Sequence, residues 1–381
     1  MHLGQISGRQ STIKIKRPSA SRRSLKYYKT ILNLQRRITE LKKIFALTLI
    51  TAMLFSLAGC SSEDVPTLTV YNWGDYIGEG VIEQFEEEFG CKVNYEMFDQ
   101  NEDMYTKITK AGGEYDVVIP SEYMIERMIS EGLLAELNHE NIPNMANLSE
   151  YVLDRDFDPG NKYSVPYMWG TVGIVYNKTM VNGEITSWND LWDPQYEGQI
   201  FMMNSVRDSM AVSLMTLGLS PNTREKADLE AAQQKLIDQK PLILAYTGDE
   251  VKDKMIAGEA AMAVIYSGDA ANILMENEDL VYVLPEEGTN LWFDNMCILK
   301  NSQQKELAEK FINFMCEKEI CEINRDYICY NTPHQEVWDS LDEETLHTYP
   351  DAETIEKCFI YKDLGEMAKV YDEMWTKIMI N

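Results

Sequence analysis

Between Thr67 and Pro120 the sequence switches repeatedly between two hydrophobic periods, and no other feature of the 381-residue chain restricts its fold so tightly. Leu68, Val70 and Asn72 recur at every second residue, as on a strand. Val81, Ile82, Phe85 and Phe89 then follow helical spacing across 79–89 and stop at Gly90, a residue suited to a helix end. Cys91, Val93 and Tyr95 alternate again, and Met104, Tyr105 and Ile108 stripe a second helix over 101–111. Tyr115-Asp-Val-Val-Ile119 is a buried strand closed by Pro120. This βαβαβ order predicts an α/β fold with a largely parallel sheet, where ligands gather at the carboxyl ends of the strands. Those ends carry Tyr71-Asn-Trp-Gly-Asp-Tyr76 and Pro120-Ser-Glu-Tyr123, so aromatic and polar groups are expected at one rim.

The N-terminal region decides the compartment. Residues 44–60, IFALTLITAMLFSLAGC, are an apolar run behind a basic flank. That length suits the core of a secretory signal and is short for a membrane span. Its ending, Leu57-Ala-Gly-Cys60, resembles a bacterial lipobox, which implies Cys60 as the acylated first residue of a mature lipoprotein. An uncleaved signal anchor is the alternative, and either one puts the folded part outside the cytoplasmic membrane. The first 40 residues, with Arg22, Arg23, Lys26, Arg36 and Arg37, are long for a signal n-region. A basic helix over 25–41 or a start codon assigned too far upstream would each account for them. We therefore expect 1–59 to be a basic N-terminal region with signal peptide, and 60–66 to be anchor and tether.

Without the leader the charge balance is extreme. Residues 1–59 hold 12 of the 35 Lys and Arg and one of the 62 acids, so the remainder carries about −38. This disfavours nucleic acid and anionic lipid as partners and draws cationic ligands, although acidity for solubility alone gives the same count. Six cysteines follow Cys60: Cys91, Cys297, Cys316, Cys321, Cys329 and Cys358. Their spacing fixes no pairing, and the expectation is mostly small buried apolar residues with at most one bridge near the C-terminus. No CxxC occurs and His2, His139, His334 and His347 do not cluster, so no metal site is expected.

About 320 residues after the anchor exceed one compact core, and two lobes are expected. The apolar run 163–177, broken by Gly170 and Gly173, suits a crossing between lobes with a hinge near Gly170. A second α/β stretch follows: a helical turn at 188–192, a strand at 199–203, Asn204-Ser-Val-Arg-Asp208 opening a helix, and a buried strand at 261–266. Leu291 to Leu299 is a return crossing, and 305–316 is an amphipathic helix. Lobe 1 is expected over 67–170 plus 294–340, and lobe 2 over 171–293 plus 341–381.

Tyr-Asn-Trp-x-x-Tyr after the first strand, Pro-Ser-x-Tyr after the third, Pro-Tyr-x-Trp-Gly at the crossing, Trp-x-Asp-Leu-Trp and a second-crossing Trp-x-Asp occur in one order. With Tyr349-Pro-Asp-Ala-Glu-Thr-Ile355, this ordered set resembles the spermidine/putrescine-binding proteins of bacterial ABC transporters. The resemblance implies a two-lobe, type II periplasmic-binding-protein-like fold, hinge-linked, with ligand in the cleft between lobes. It further implies Trp73 and Tyr76 as an aromatic wall, Asp75 at a terminal amine, and Ser121 and Tyr123 as further contacts of that lobe. Asp208 and Tyr266 take the second-lobe positions, Trp292 and Asp294 cover and neutralise the middle of the ligand, and Tyr330 and Tyr361 complete the site. Departures from the family pattern at Gly74, Ser205 and Tyr361 leave spermidine and putrescine both open.

Other aromatic and acidic residues are read more plainly. Trp169, Trp188 and Trp192 are assigned to packing, and Asp249 and Asp269 to solvated mouth loops. The expected protein is a monomeric binding protein for spermidine or putrescine, with no cofactor, serving a separate permease and ATPase. There is no Gly-x-Ser-x-Gly elbow, His-Glu-x-x-His or P-loop to suggest an enzyme. A polyamine sensor, a binder of another organic cation and an exported hydrolase using Asp75 and Asp294 are the alternatives.

Overall fold

The structure, a computed structural model, describes residues 65–111, 115–342, 348–350 and 352–380. The leader, Cys60 and most of the tether lie outside the described residues. Among the described residues nine strands form one sheet: β1 Thr67–Trp73, β2 Lys92–Phe98, β3 Val117–Val118, β4 Ser164–Asn177, β5 Ile200–Met203, β6 Ile243–Thr247, β7 Met262–Tyr266, β8 Leu280–Val283 and β9 Leu291–Ile298. Their order is β2-β1-β3-β9-β4-β7-β5-β6, with β8 on β4.

The helical stripes form helices at Val81–Phe89 and Asn101–Ala111. Gly90 ends the first of them in the left-handed region at φ 61°, where a side chain would be strained. The sheet is mixed, which corrects the expectation of a largely parallel one. β1 runs parallel to β2 and β3, and β5 runs parallel to β6 and β7, because helices cross over between those strands. β9 and β4 run antiparallel to their neighbours. They connect the two halves of the sheet, so they enter each half against its local direction.

β4 is where the chain changes sides. Its residues up to Thr171 pair with β9, and from Val172 onward they pair with β7. All fourteen of its residues are buried, which explains an apolar run without alternation. Gly170 stands at this change of partner, inside the extended strand. A Cβ there would lie 2.7 Å from Trp292 Cζ2 and 2.6 Å from Ser267 Oγ, so the glycine is required by close approach.

Cys91, Cys297, Cys316 and Cys321 are buried free thiols and Cys329 and Cys358 partly buried ones. The thiols thus follow the expectation of small buried residues, and no bridge forms near the C-terminus among the described residues. Trp169 is buried against Tyr151 and Trp338, and Trp188 and Trp192 donate their indole N–H to the carbonyls of Gly288 and Lys235. No helix among the described residues is long and apolar enough to cross a membrane.

Candidate functional site

Three helices begin directly at the carboxyl ends of strands or their short extensions, and each carries an acid in its first turn. Glu122 opens Glu122–Ser130 after β3, Asp208 lies in Val206–Thr216 after β5, and Asp269 lies in Ser267–Glu276 after β7. The positive end of each helix dipole favours an ionised carboxylate at that place. Burial opposes it, and the outcome is a set of acids with raised pKa.

Asp294 reaches the same space from β9. Residues two apart on a strand share a face, so Trp292 and Asp294 point together while Phe293 packs on the opposite side against Trp169 and Phe157. Asp294 accepts hydrogen bonds from Ser121 Oγ at 2.7 Å and Tyr76 Oη at 2.8 Å. Burial pushes its pKa up to about 7, with both hydroxyls working against the rise and the charge of Asp208 adding to it. Asp208 accepts from Ser205 Oγ at 2.5 Å, Tyr266 Oη at 2.9 Å and Tyr361 Oη at 3.2 Å. Burial again raises its pKa, and these three hydroxyls and the charge of Arg207 limit the rise.

The loop after β1 is held by its backbone. The carbonyl of Tyr76 accepts from Asn72 Nδ2 at 3.1 Å and Tyr167 Oη at 2.6 Å. Asp75 takes the left-handed conformation at φ 47° and points outward, with its side chain 66% exposed. Trp292, Tyr330 and Tyr76 form a chain of edge-to-face rings at centroid distances of 5.0 and 5.6 Å, and Tyr266 meets Trp292 at 5.9 Å.

All eleven residues singled out in the sequence line one cavity of about 290 Å³. Their weights differ from the expectation. Asp75 sits at the mouth, whereas Asp269, assigned to a solvated loop, is 13% exposed and accepts from Tyr330 Oη at 3.0 Å. Asp249 lines the mouth and is exposed.

Four further cavity residues escaped sequence reasoning. Glu122 is fully buried, accepts from the Phe293 amide at 3.0 Å through one oxygen and has no partner on the other. Burial raises its pKa to about 8. Arg207 lies with its guanidinium 4.6 Å from the ring centres of both Tyr123 and Tyr361 and donates to Lys362 O and Asn222 Oδ1. Lys252 reaches in between Asp75 and Asp269, and Asn290 presents an unpartnered buried side-chain oxygen, Oδ1. Glu122 and Arg207 stand inside motifs the sequence exposed, but Lys252 lies in a short helix with no such signal.

Residues 114–358 match the family described as bacterial extracellular solute-binding protein. The chain belongs to that family. The solute-binding chain is 33% identical over 332 residues to the spermidine/putrescine-binding periplasmic protein of Escherichia coli, covering 86% of this chain and 95% of the relative. Among solved structures, a putative spermidine/putrescine ABC transporter from Listeria monocytogenes superposes with a TM-score of 0.80 at 43% identity, over 82% of this chain and 99% of that one. The TpPotD lipoprotein of Treponema pallidum gives 0.75 at 25% identity, over 83% and 100%. The two-lobe fold expected of a periplasmic binding protein is thus the fold of this chain.

Proposed function

We propose that this solute-binding protein is the substrate-binding lipoprotein of an ABC polyamine importer, capturing spermidine or putrescine outside the membrane and delivering it to a permease driven by a separate ATPase. One observation carries the reading: the buried acids Asp208 and Asp294 and the partly buried Asp269 line one cavity together with the aromatic side chains of Trp73, Trp292 and Tyr330. A polyamine has methylenes that gain from burial and ammonium groups that need charge partners once out of water. Asp294 and Asp208 receive their hydrogen bonds from side-chain hydroxyls, with no cation acting on Asp294 and only the neighbouring Arg207 charge acting on Asp208, so an incoming ammonium would supply a directly bonded countercharge. Each ammonium over an aromatic face adds about 0.5–2 kcal/mol.

The names of the relatives support the same ligand class. A lipid anchor at Cys60, an extracytoplasmic location, monomeric action and the absence of catalysis belong to the same proposal. Exposure of Asp75 and its ion pair with Lys252 at 3.6 Å disfavour the paired-acid hydrolase. Calorimetric titration with spermidine, putrescine, spermine and cadaverine at physiological salt tests the reading. Tight binding of at least one amine is expected; no heat with any of the four would overturn it.

A further inference from the structure

We infer that Lys252 is a specificity-determining residue: it fills the outer ammonium position of the cleft from within the chain, so that the cleft prefers a diamine to a triamine. The inference rests on the polyamine reading and adds what sets ligand length.

Lys252 belongs to the helix Val251–Ile256, which follows β6. Its Nζ lies 3.4 Å from Asp269 Oδ1 and 3.6 Å from Asp75 Oδ2, and its side chain is only 22% exposed. Asp75 is mostly in water, where a charge pair is weak, and Asp249 beside it is exposed as a residue, with its carboxyl partly shielded so that burial raises its pKa to about 6 and leaves it less ready to hold a cation at low pH. Asp269 is therefore the acid at this end that can hold an ammonium away from solvent. Both of its oxygens are occupied, Oδ2 by Tyr330 Oη at 3.0 Å and Oδ1 by Lys252.

The inner acids are in a different state. Asp294 receives Ser121 and Tyr76, and Asp208 receives Ser205, Tyr266 and Tyr361, all through hydroxyls. The nearby Arg207 directs its donors to Lys362 O and Asn222 Oδ1. Of the three aspartates, Asp208 and Asp294 thus await an ammonium and Asp269 already has one; Glu122, also in the cavity, keeps its proton near neutrality because burial raises its pKa to about 8. A diamine can meet the inner pair and leave Lys252 in place. A triamine must bring its third ammonium to Asp269, either displacing Lys252 or bearing the repulsion of a like charge a few ångströms away.

Titration of the full chain and of Lys252→Met with putrescine and spermidine tests this, with Lys252→Arg as the charge-retaining control and Lys252→Gln in reserve should the methionine variant misfold. Removing the charge is expected to raise spermidine affinity about tenfold relative to putrescine, while Lys252→Arg keeps the original ratio. An unchanged ratio in the neutral variants, or the same change in Lys252→Arg, overturns the inference and leaves the polyamine reading standing. Failure of the unsubstituted protein to bind either amine overturns both.

Discussion

Tyr76 donates its phenolic hydrogen to Asp294 Oδ2 at 2.8 Å, joining the loop after the first strand to a strand 218 positions later in the chain. The bond is buried, and it aims a carboxylate into the cavity while the same tyrosine ring packs edge-on to Tyr330. Acid and aromatic wall are fixed by one side chain.

Because Asp294 is buried and held by hydroxyls alone, Asp294→Asn should remove the charge without emptying the space. Polyamine binding should weaken by about 3 kcal/mol, or roughly 150-fold in Kd. Calorimetry that returned the original Kd would take Asp294 out of the binding site.

The pKa of Asp294, about 7, makes binding sensitive to pH in the same range. An ammonium favours the ionised carboxylate and lowers its pKa in the complex, so protons leave on binding near neutrality. Affinity should fall as pH drops below 7, by up to about tenfold per unit for one proton. Binding heats measured in buffers of different ionisation enthalpy read the proton release directly; heats independent of buffer would contradict it.

Glu122 is predicted to weaken the fold at alkaline pH. Its folded pKa, about 8, exceeds the ordinary glutamate value of 4.5, so between those values the folded state holds a proton that the unfolded state has lost. Its contribution to stability is greatest below 4.5, falls as pH rises toward 8 and is then constant. Glu122→Gln keeps an acceptor for the Phe293 amide and should stabilise the ligand-free protein at pH 8 by on the order of 3 kcal/mol, with little effect at pH 4. Denaturant melts at the two pH values decide it.

At Gly268 an added Cβ would come within 1.9 Å of Tyr330 Cδ1. Gly268→Ala should therefore push the Tyr330 ring away from Trp292 and Asp269, costing about 1–3 kcal/mol in stability and loosening the ligand. Unchanged unfolding and binding would show that the ring can move freely.

The anchor can be tested separately from the site. Cys60→Ser should release the protein from the membrane fraction and leave polyamine affinity as it was. Continued membrane association would favour an uncleaved signal anchor.

The sequence by itself determined the local elements and the rims they build. Alternating and helical periods marked β1, β2 and the helix that follows each, because these patterns reflect burial of one face and are written in consecutive residues. Short motifs such as Trp73 to Tyr76 and Trp292 to Asp294 were visible for the same reason.

Tertiary structure alone decided which acids are withdrawn from water and which residues stand beside them. Asp75 and Asp269 are both aspartates in turn-like contexts, yet one is 66% exposed and the other 13%, because Tyr330 and Lys252 arrive at Asp269 from other parts of the chain. The direction of β4 and β9 was likewise hidden, since strand pairing depends on where the chain returns and leaves no mark on its period. Charge, desolvation and close approach are properties of neighbours in space. Glu122, Arg207 and Lys252 acquire their roles only when the fold supplies those neighbours.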